Sequence, residues 1–237
     1  MRSRYKPCPR CRSQGKDTAG DNLVLYPDGG GHCFSCGYHE HGAKVPFILK
    51  EQKPNVPKSM LPADFTREVP TTALKWLLQY GLPFSYWKDQ IGYSASENRL
   101  IFLVGQPVQF SIGRYCGPPD DKVRKWYVWG DPHRHCEVVG AGGTVVLVED
   151  LISAHKIANC LAGVESIPLF GVEFHPPHLY YLMQGNKRVV LWLDKDQRGS
   201  ITRKAARLQS LLGTQVDCVT TDKDPKSLSC EEINGCI

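Results

Sequence analysis

No stretch of this sequence stays apolar for anything like the roughly 20 residues a helical membrane span requires, so no membrane-spanning role is expected. The opening residues, MRSRYKPCPRC, are charged and no apolar segment follows them, so no secretory signal is expected either. There is no G-x-x-x-x-G-K-S/T loop, which excludes a P-loop nucleotide motor within these residues. The expectation is a cytoplasmic protein, in a compartment where thiols stay reduced. Ten cysteines then argue against a disulfide framework, and their clustering argues for metal.

What is present is ordinary in bulk and uneven in detail. The 237 residues are 41% hydrophobic and 22% charged, enough for one large domain or two modest ones with a real core. Residues 1–60 carry ten Lys and Arg against five Asp and Glu, residues 61–142 nine against eight, and residues 143–237 ten against eleven. The net charge of +5 therefore comes from the N-terminal quarter. Nucleic acid is the natural partner for such an excess, and a solvated basic face is the competing explanation.

Cys8 and Cys11 in CPRC, and Cys33 and Cys36 in CFSC, form a C-x2-C…C-x2-C pattern with 21 residues between the pairs. Each pair sets two thiolates on one tight knuckle, and two knuckles complete a tetrahedral Zn²⁺ shell with no open position, so the zinc is expected to be structural. Leu23 to Tyr26 and the following Pro27-Asp28-Gly29-Gly30-Gly31 read as strand, turn, strand: a zinc ribbon over residues 1–41. So small a module depends on its metal to fold. Arg2, Arg4, Lys6, Arg10 and Arg12 surround the first knuckle, and Tyr26, Phe34 and Tyr38 offer rings. That mixture suits single-stranded nucleic acid, although the rings could equally serve a core or a protein-docking face. His32, His39 and His41 lie close enough to substitute for a cysteine ligand.

Residues 42–70 hold five prolines and read as a semi-extended tether. Residues 71–142 read as a small α+β unit. A helix starts with Thr71 or Thr72 as N-cap and ends at Gly81, and a short helix covers Ser85 to Gln90. Strands follow at Leu100 to Val104, Val108 to Ile112 and Trp126 to Trp129. Arg99, Arg114, Lys122, Arg124 and Lys125 fall at the ends of these runs.

From Thr144 strands and helices alternate: TVVLVE, a helix over Ile152 to Ala162, SIPLF, a helix over Pro177 to Met183, RVVLWLD, a helix over Ser200 to Leu212, and QVDCV. This order implies an α/β domain over 143–237, a parallel sheet with helices on both faces. Chemistry in such sheets gathers at the carboxyl ends of the strands. Glu149 ends the first strand, Asp194 and Asp196 end the third, and Asp222 and Asp224 follow the last. Like charges placed so close require a positive partner, and Mg²⁺ or Mn²⁺ is the economical one. Helix N-capping is the alternative use for such aspartates.

The segments VVLVEDLISAHKIA and VVLWLDKDQRG resemble the Toprim signature of DnaG-type primases, some topoisomerases, recombination-mediator proteins and certain nucleases. TTDKDPKSLS is similar to the K-D-P segment of primases. NRLIFLVGQPVQFSIGRY…RKWYVWG resembles their basic subdomain, with Leu103-Val104 where that family usually has proline. CPRC…LVLYPDGGGHCFSC is similar to the zinc-binding domain of phage primase-helicases. The order zinc ribbon, tether, basic subdomain, Toprim resembles a DnaG-type or bacteriophage DNA primase, lacking the helicase. The resemblance implies a DNA-directed RNA polymerase that makes short RNA on single-stranded DNA from NTPs, leaves an RNA/DNA hybrid and works with a separate replicative helicase. Glu149, Asp194, Asp196 and Asp224 would hold Mg²⁺ or Mn²⁺. Arg99, Arg114, Lys122, Arg124, Lys125, Lys195 and Lys223 would contact nucleotide and nucleic acid. A non-catalytic zinc and Toprim recombination mediator, or a Toprim nuclease, shares part of this pattern. His133 to Cys136 read as a polar loop, Cys160 and Cys218 as core packing without pairing logic, and the five tryptophans and Tyr180-Tyr181 as core, with Trp126 or Trp129 available to stack on a base.

Overall fold

Residues 4–26, 30–40 and 59–237 are described by a computed structural model. Arg2, His41, the turn Pro27-Asp28-Gly29 and residues 42–58 of the expected tether lie outside the described residues. The chain divides into two units, residues 1–56 and residues 57–237.

The first unit is a four-stranded antiparallel sheet in the order β1 (Arg4–Lys6), β2 (Leu23–Leu25), β3 (Gly31–Cys33), β4 (His39–Glu40). The expected hairpin is β2–β3, and Leu23 pairs with Cys33. The outer strands go beyond the sequence expectation, because three and two residues carry no periodicity to read. A short helix, α1 (Pro9–Ser13), starts inside the first knuckle with Pro9 at its first position, where a missing N–H removes nothing. Leu23, Cys8, Cys11 and Cys33 are fully buried and make up nearly the whole core.

The second unit holds two sheets. Its first layer opens with α2 (Thr71–Leu78). The N-cap is Pro70 and no side chain caps the helix, so Thr71 is the first helical residue instead of the cap. Ala73 and Leu77, four apart, bury the inner face, and Gly81 ends the turn beyond the helix with φ +84°. Next come α3 (Phe84–Trp87), shorter than expected, and an antiparallel sheet in the order β5 (Ile91–Ser94), β6 (Arg99–Val104), β7 (Phe110–Tyr115), β8 (Trp126–Trp129). Strand β5 is additional to the expected three, and β7 begins two residues later than the sequence suggests. Residues 59–70 lie on this layer: Thr66 bridges Tyr93, and Asp64 accepts from Ser94 and Ser96.

The second layer alternates as expected: β9 (Val139–Gly140), β10 (Thr144–Val148), α4 (Leu151–Cys160), β11 (Val164–Pro168), α5 (Pro176–Met183), β12 (Arg188–Trp192), α6 (Arg198–Leu212), β13 (Val216–Val219), α7 (Cys230–Asn234). The sheet order is β13-β12-β10-β11-β9. The pairings among β10 to β13 are parallel, and β9 adds an antiparallel edge that the sequence does not announce. Alternation along each strand explains the helices on both faces. Val145, Leu147, Val189 and Leu191 pack with Leu182 of α5 and Ile201, Ala205 and Leu208 of α6. Val146, Val148, Val190 and Trp192 pack with Ala154 and Ile157 of α4 and Ile233 of α7. Leu151 and Ile152, the first turn of α4, enter the core of the other layer beside Trp87, Phe102 and Phe110. This contact brings the carboxyl end of β10 against β6–β8.

Several expectations for lone residues need correction. Cys160 is joined to Cys230 by a disulfide that ties the end of α4 to the start of α7, 70 residues on. Spacing alone could not show that pairing, because the crossover sets it. Cys218 is exposed, since β13 is an edge strand. Tyr180 is 69% exposed, while Tyr181 donates to Glu165.

Candidate active site

The four thiols of the first unit converge. All four sulfurs lie within 4.8 Å of one another. Cys8 and Cys36 are 3.6 Å apart and Cys11 and Cys33 3.7 Å. A regular tetrahedron with Zn–S bonds of about 2.3 Å has an edge of about 3.8 Å, so the cluster has the size of a four-cysteine zinc shell. Asp17, nearly buried, holds the first knuckle by accepting from the N–H groups of Cys8, Gly20 and Asp21. No histidine is needed. His32 and His39 stack on each other at 4.3 Å, and Phe34 lies 4.4 Å from His32. Phe34, Tyr5 and Tyr26 are exposed, Tyr38 packs against the cysteines, and Arg10 and Arg12 face solvent.

In the second unit, the carboxyl ends of β10, β12 and β13 meet one wall of a cavity of about 420 Å³. Glu149 follows β10, and Asp194 lies two residues beyond β12, the strand hydrogen-bonded to β10. The Asp194 N–H donates to Glu149 Oε1 at 3.0 Å. Asp224 opens the 3₁₀ turn Pro225–Ser227 beyond β13. The opposite wall comes from α2 and the β6–β8 sheet: Trp76, Tyr80, Phe102, Trp126, Arg114 and Lys125. Tyr80 is placed by Lys156, whose ammonium donates to the Tyr80 carbonyl across the two layers. Phe170 closes one side with a left-handed backbone, φ +52°, and its ring meets Phe110 edge-on at 4.9 Å.

Two residues of this cluster were missed by sequence reasoning, Asp150 and Lys226. Lys226 Nζ lies 2.9 Å from Asp150, 3.3 Å from Asp224 and 3.5 Å from Asp194. The adjacent pair Glu149-Asp150 and the run Asp224-Pro225-Lys226 were the only signals for them. Capping explains just one of the acids. Asp150 caps α4, accepting from the N–H groups of Ile152 and Ser153. Asp194 and Asp224 begin 3₁₀ turns without any side-chain cap bond. Asp194 Oδ1 is buried and has no hydrogen-bond partner among the described residues.

Electrostatics follow from this placement. Burial, and then the Asp194 charge, push Glu149 up to about 7. Burial pushes Asp194 up to about 6, opposed by Lys226. Burial pulls Lys226 down, but Asp150, Asp194 and Asp224 outweigh it and hold its pKa above that of an ordinary lysine. The neighbourhood therefore contains two carboxyls, Glu149 and Asp194, that resist ionisation because they are partly buried beside other acids. A hard oxygen donor set with a buried, unpartnered carboxylate oxygen fits a divalent cation such as Mg²⁺ or Mn²⁺. Among the described residues only the four cysteines already sit at mutual ligand distance, so the acids are near one another without forming a closed cage.

The remaining site residues scatter. Asp196 is exposed beside the cluster, and Asp222 pairs with Arg198 at the surface. Lys195 is exposed, and Lys223 pairs with Glu232. Lys122 and Arg124 are exposed near β8. Arg114 lies over the rings of Trp76 and Trp126 and donates to the Tyr115 carbonyl. Arg99 points inward. It is 4% exposed and donates to the carbonyls of Gly113, Arg124 and Lys125, with Tyr115 and Tyr127 against its guanidinium. It clasps the end of β8 to the sheet.

No protein-family model matches the chain, and no curated protein matches it. Among solved structures, the primase fragment of the bacteriophage T7 primase-helicase protein aligns with 99% of this chain and 96% of its own, at 14% identity and a TM-score of 0.47. The zinc-binding and RNA polymerase domains of the Aquifex aeolicus primase align with 100% of this chain and 81% of theirs, at 14% identity and a TM-score of 0.56. The chain has the fold of that A. aeolicus primase fragment.

Proposed function

We propose that the protein is a DNA primase, a DNA-directed RNA polymerase that joins NTPs into short RNA on a single-stranded DNA template, and that residues 143–237 form a Toprim domain. The observation that carries this reading is the meeting of three strand-end carboxylates, Glu149, Asp194 and Asp224, with the basic and aromatic wall bearing Arg114, Lys125 and Trp126 in one cavity. Its size, about 420 Å³, is in the range of small-ligand sites. The shared fold with a protein described as a primase supports it.

Glu149, Asp194 and Asp224, with Asp196 at the rim, would form the acidic centre that takes Mg²⁺ or Mn²⁺. A bound ion of this kind supplies positive charge beside phosphate oxygens and makes a nearby hydroxyl more acidic. Arg114 and Lys125, facing the acids, neutralise the triphosphate, and Lys122, Arg124, Lys195 and Lys223 extend a basic surface for template and hybrid. Trp126, at the mouth, offers a ring to a base. In the ribbon, exposed Phe34, Tyr5 and Tyr26 with Arg10 and Arg12 take up single-stranded template. A separate replicative helicase would supply that template.

The test is a priming assay with zinc-loaded protein, single-stranded DNA, labelled NTPs and Mg²⁺. The wild type should yield oligoribonucleotides, and Asp194→Asn should yield none while still binding DNA. RNA synthesis by Asp194→Asn, or metal-dependent cleavage of the template without synthesis, would refute the assignment.

A further inference from the structure

Lys226 stands where the acids meet, and the polymerase reading alone gives it no role. Its side chain is 18% exposed and enters from the turn Pro225–Ser227. Three carboxylates, from Asp150, Asp194 and Asp224, surround the one ammonium at 2.9, 3.5 and 3.3 Å. An ammonium is a compact charge with three donors, and here each donor has a carboxylate within reach. The arrangement divides the cluster into two sides. On one, Asp150 and Asp224 are matched by Lys226. On the other, Asp194 turns Oδ2 to Lys226 while Oδ1 is buried without a partner among the described residues, and Glu149 accepts the Asp194 N–H.

We propose that Lys226 is a resident cation, fixed on the Asp150–Asp224 side in the place of a second divalent ion, so that the centre takes one divalent ion, on the Glu149–Asp194 side. The inference rests on the reading of these acids as a metal centre. A second ion would have to share the carboxylate oxygens that the ammonium already holds, and like charges at that separation repel strongly in a half-buried site. A lysine serves this purpose because its charge is part of the chain and is present before any metal or nucleotide arrives. Lys226 is in this sense a positioning residue: it sets how many ions bind and which oxygens they use.

The experiment counts ions. The zinc-loaded full chain is titrated with Mn²⁺ without NTPs or template, and free Mn²⁺ is read by electron paramagnetic resonance. The wild type should hold one tightly bound Mn²⁺ per chain, Lys226→Met two, and Lys226→Arg one. Should Lys226→Met fail to fold, judged by its thermal transition, Lys226→Gln keeps a hydrogen-bond donor without the charge and should also hold two. A wild-type count of two or of zero, or a count that stays at one in the uncharged variants, overturns the proposal and leaves Lys226 as a tether for the C-terminal turn. Because no polymerisation is measured, loss of the primase reading through a failed priming assay leaves the ion count intact, and the reverse also holds.

Discussion

Replacing Glu149 by glutamine should stabilise the protein while abolishing the proposed RNA synthesis. Glutamine keeps the shape and the Oε1 acceptor for the Asp194 N–H but removes one charge from a half-buried pair. The folded state holds Glu149 at about 7 against an ordinary 4.5. A carboxyl whose pKa is raised on folding leaves the folded state with more bound protons than the unfolded one. Stability therefore falls as pH rises through the interval from about 4.5 to about 7 and is level above it. At about 1.4 kcal/mol per pKa unit, that interval corresponds to ~3 kcal/mol, and partial exposure reduces it to ~2 kcal/mol. For a unit of this size ~2 kcal/mol is a rise of ~4–8 °C in melting temperature. Differential scanning calorimetry of the zinc-loaded chain at about pH 8 without Mg²⁺ should show that gain for Glu149→Gln, shrinking toward nothing at about pH 4.5. Added Mg²⁺ should raise the wild-type transition and leave the variant nearly unmoved. A variant that melts below the wild type at the higher pH, or a gain that does not depend on pH, would show that the acids are comfortable as they stand and that no cation is required.

Three further outcomes follow from particular contacts. A strong chelator should release one zinc per chain and unfold the four-stranded ribbon, whose fully buried core among the described residues is four residues, while circular dichroism from 57–237 persists. Arg99→Ala should cost ~3 kcal/mol of stability in denaturant unfolding, because its guanidinium is buried on carbonyls; Lys125→Ala should leave stability unchanged and make the salt dependence of single-strand binding shallower, by about 0.7 for each phosphate no longer neutralised. Cys230→Ser should reduce stability by ~4 kcal/mol, the chain-entropy value for a loop of 70 residues, and peptide mapping without reductant should recover Cys160 joined to Cys230.

How much of this is legible in the sequence depends on the range of the forces involved. The zinc knuckles are local, so C-x2-C spacing locates all four ligands. The alternation of buried strands with helices from Thr144 onward is a repeat of strong periodicity, and it places Glu149 and Asp194 at strand ends. Gly213, left-handed at φ +68°, stops α6 where its sequence says it should. What cannot be read is the result of crossing. That β12 lies beside β10, that α4 enters the core of the other layer, and that Lys226 folds back 32 residues to reach Asp194 are properties of topology. Arg99 shows the same limit from the other side. At the head of a strand it looks like a surface base, yet Gly113 of the paired strand leaves open space that its side chain fills, with its Cδ 3.0 Å from where a Cβ at Gly113 would stand.

The choice between capping and cation binding, open on the sequence, turns on which acids have work in the backbone. Asp150 has it: two N–H groups and the Ser153 hydroxyl point at its oxygens, so its presence needs no further reason. Glu149 and Asp194 stabilise no helix end. Each is held where burial makes its own charge expensive, and Lys226, the base that pairs with Asp194, is shared with two other carboxylates. A sequence under selection for stability alone would be served better by glutamine and asparagine at those two positions, since both amides keep the shape and offer donors of their own. Carboxylates that weaken the folded chain when alone are what a cation site would retain, and on the proposed reading that is what singles out the acids at 149 and 194 from the larger number of surface acids.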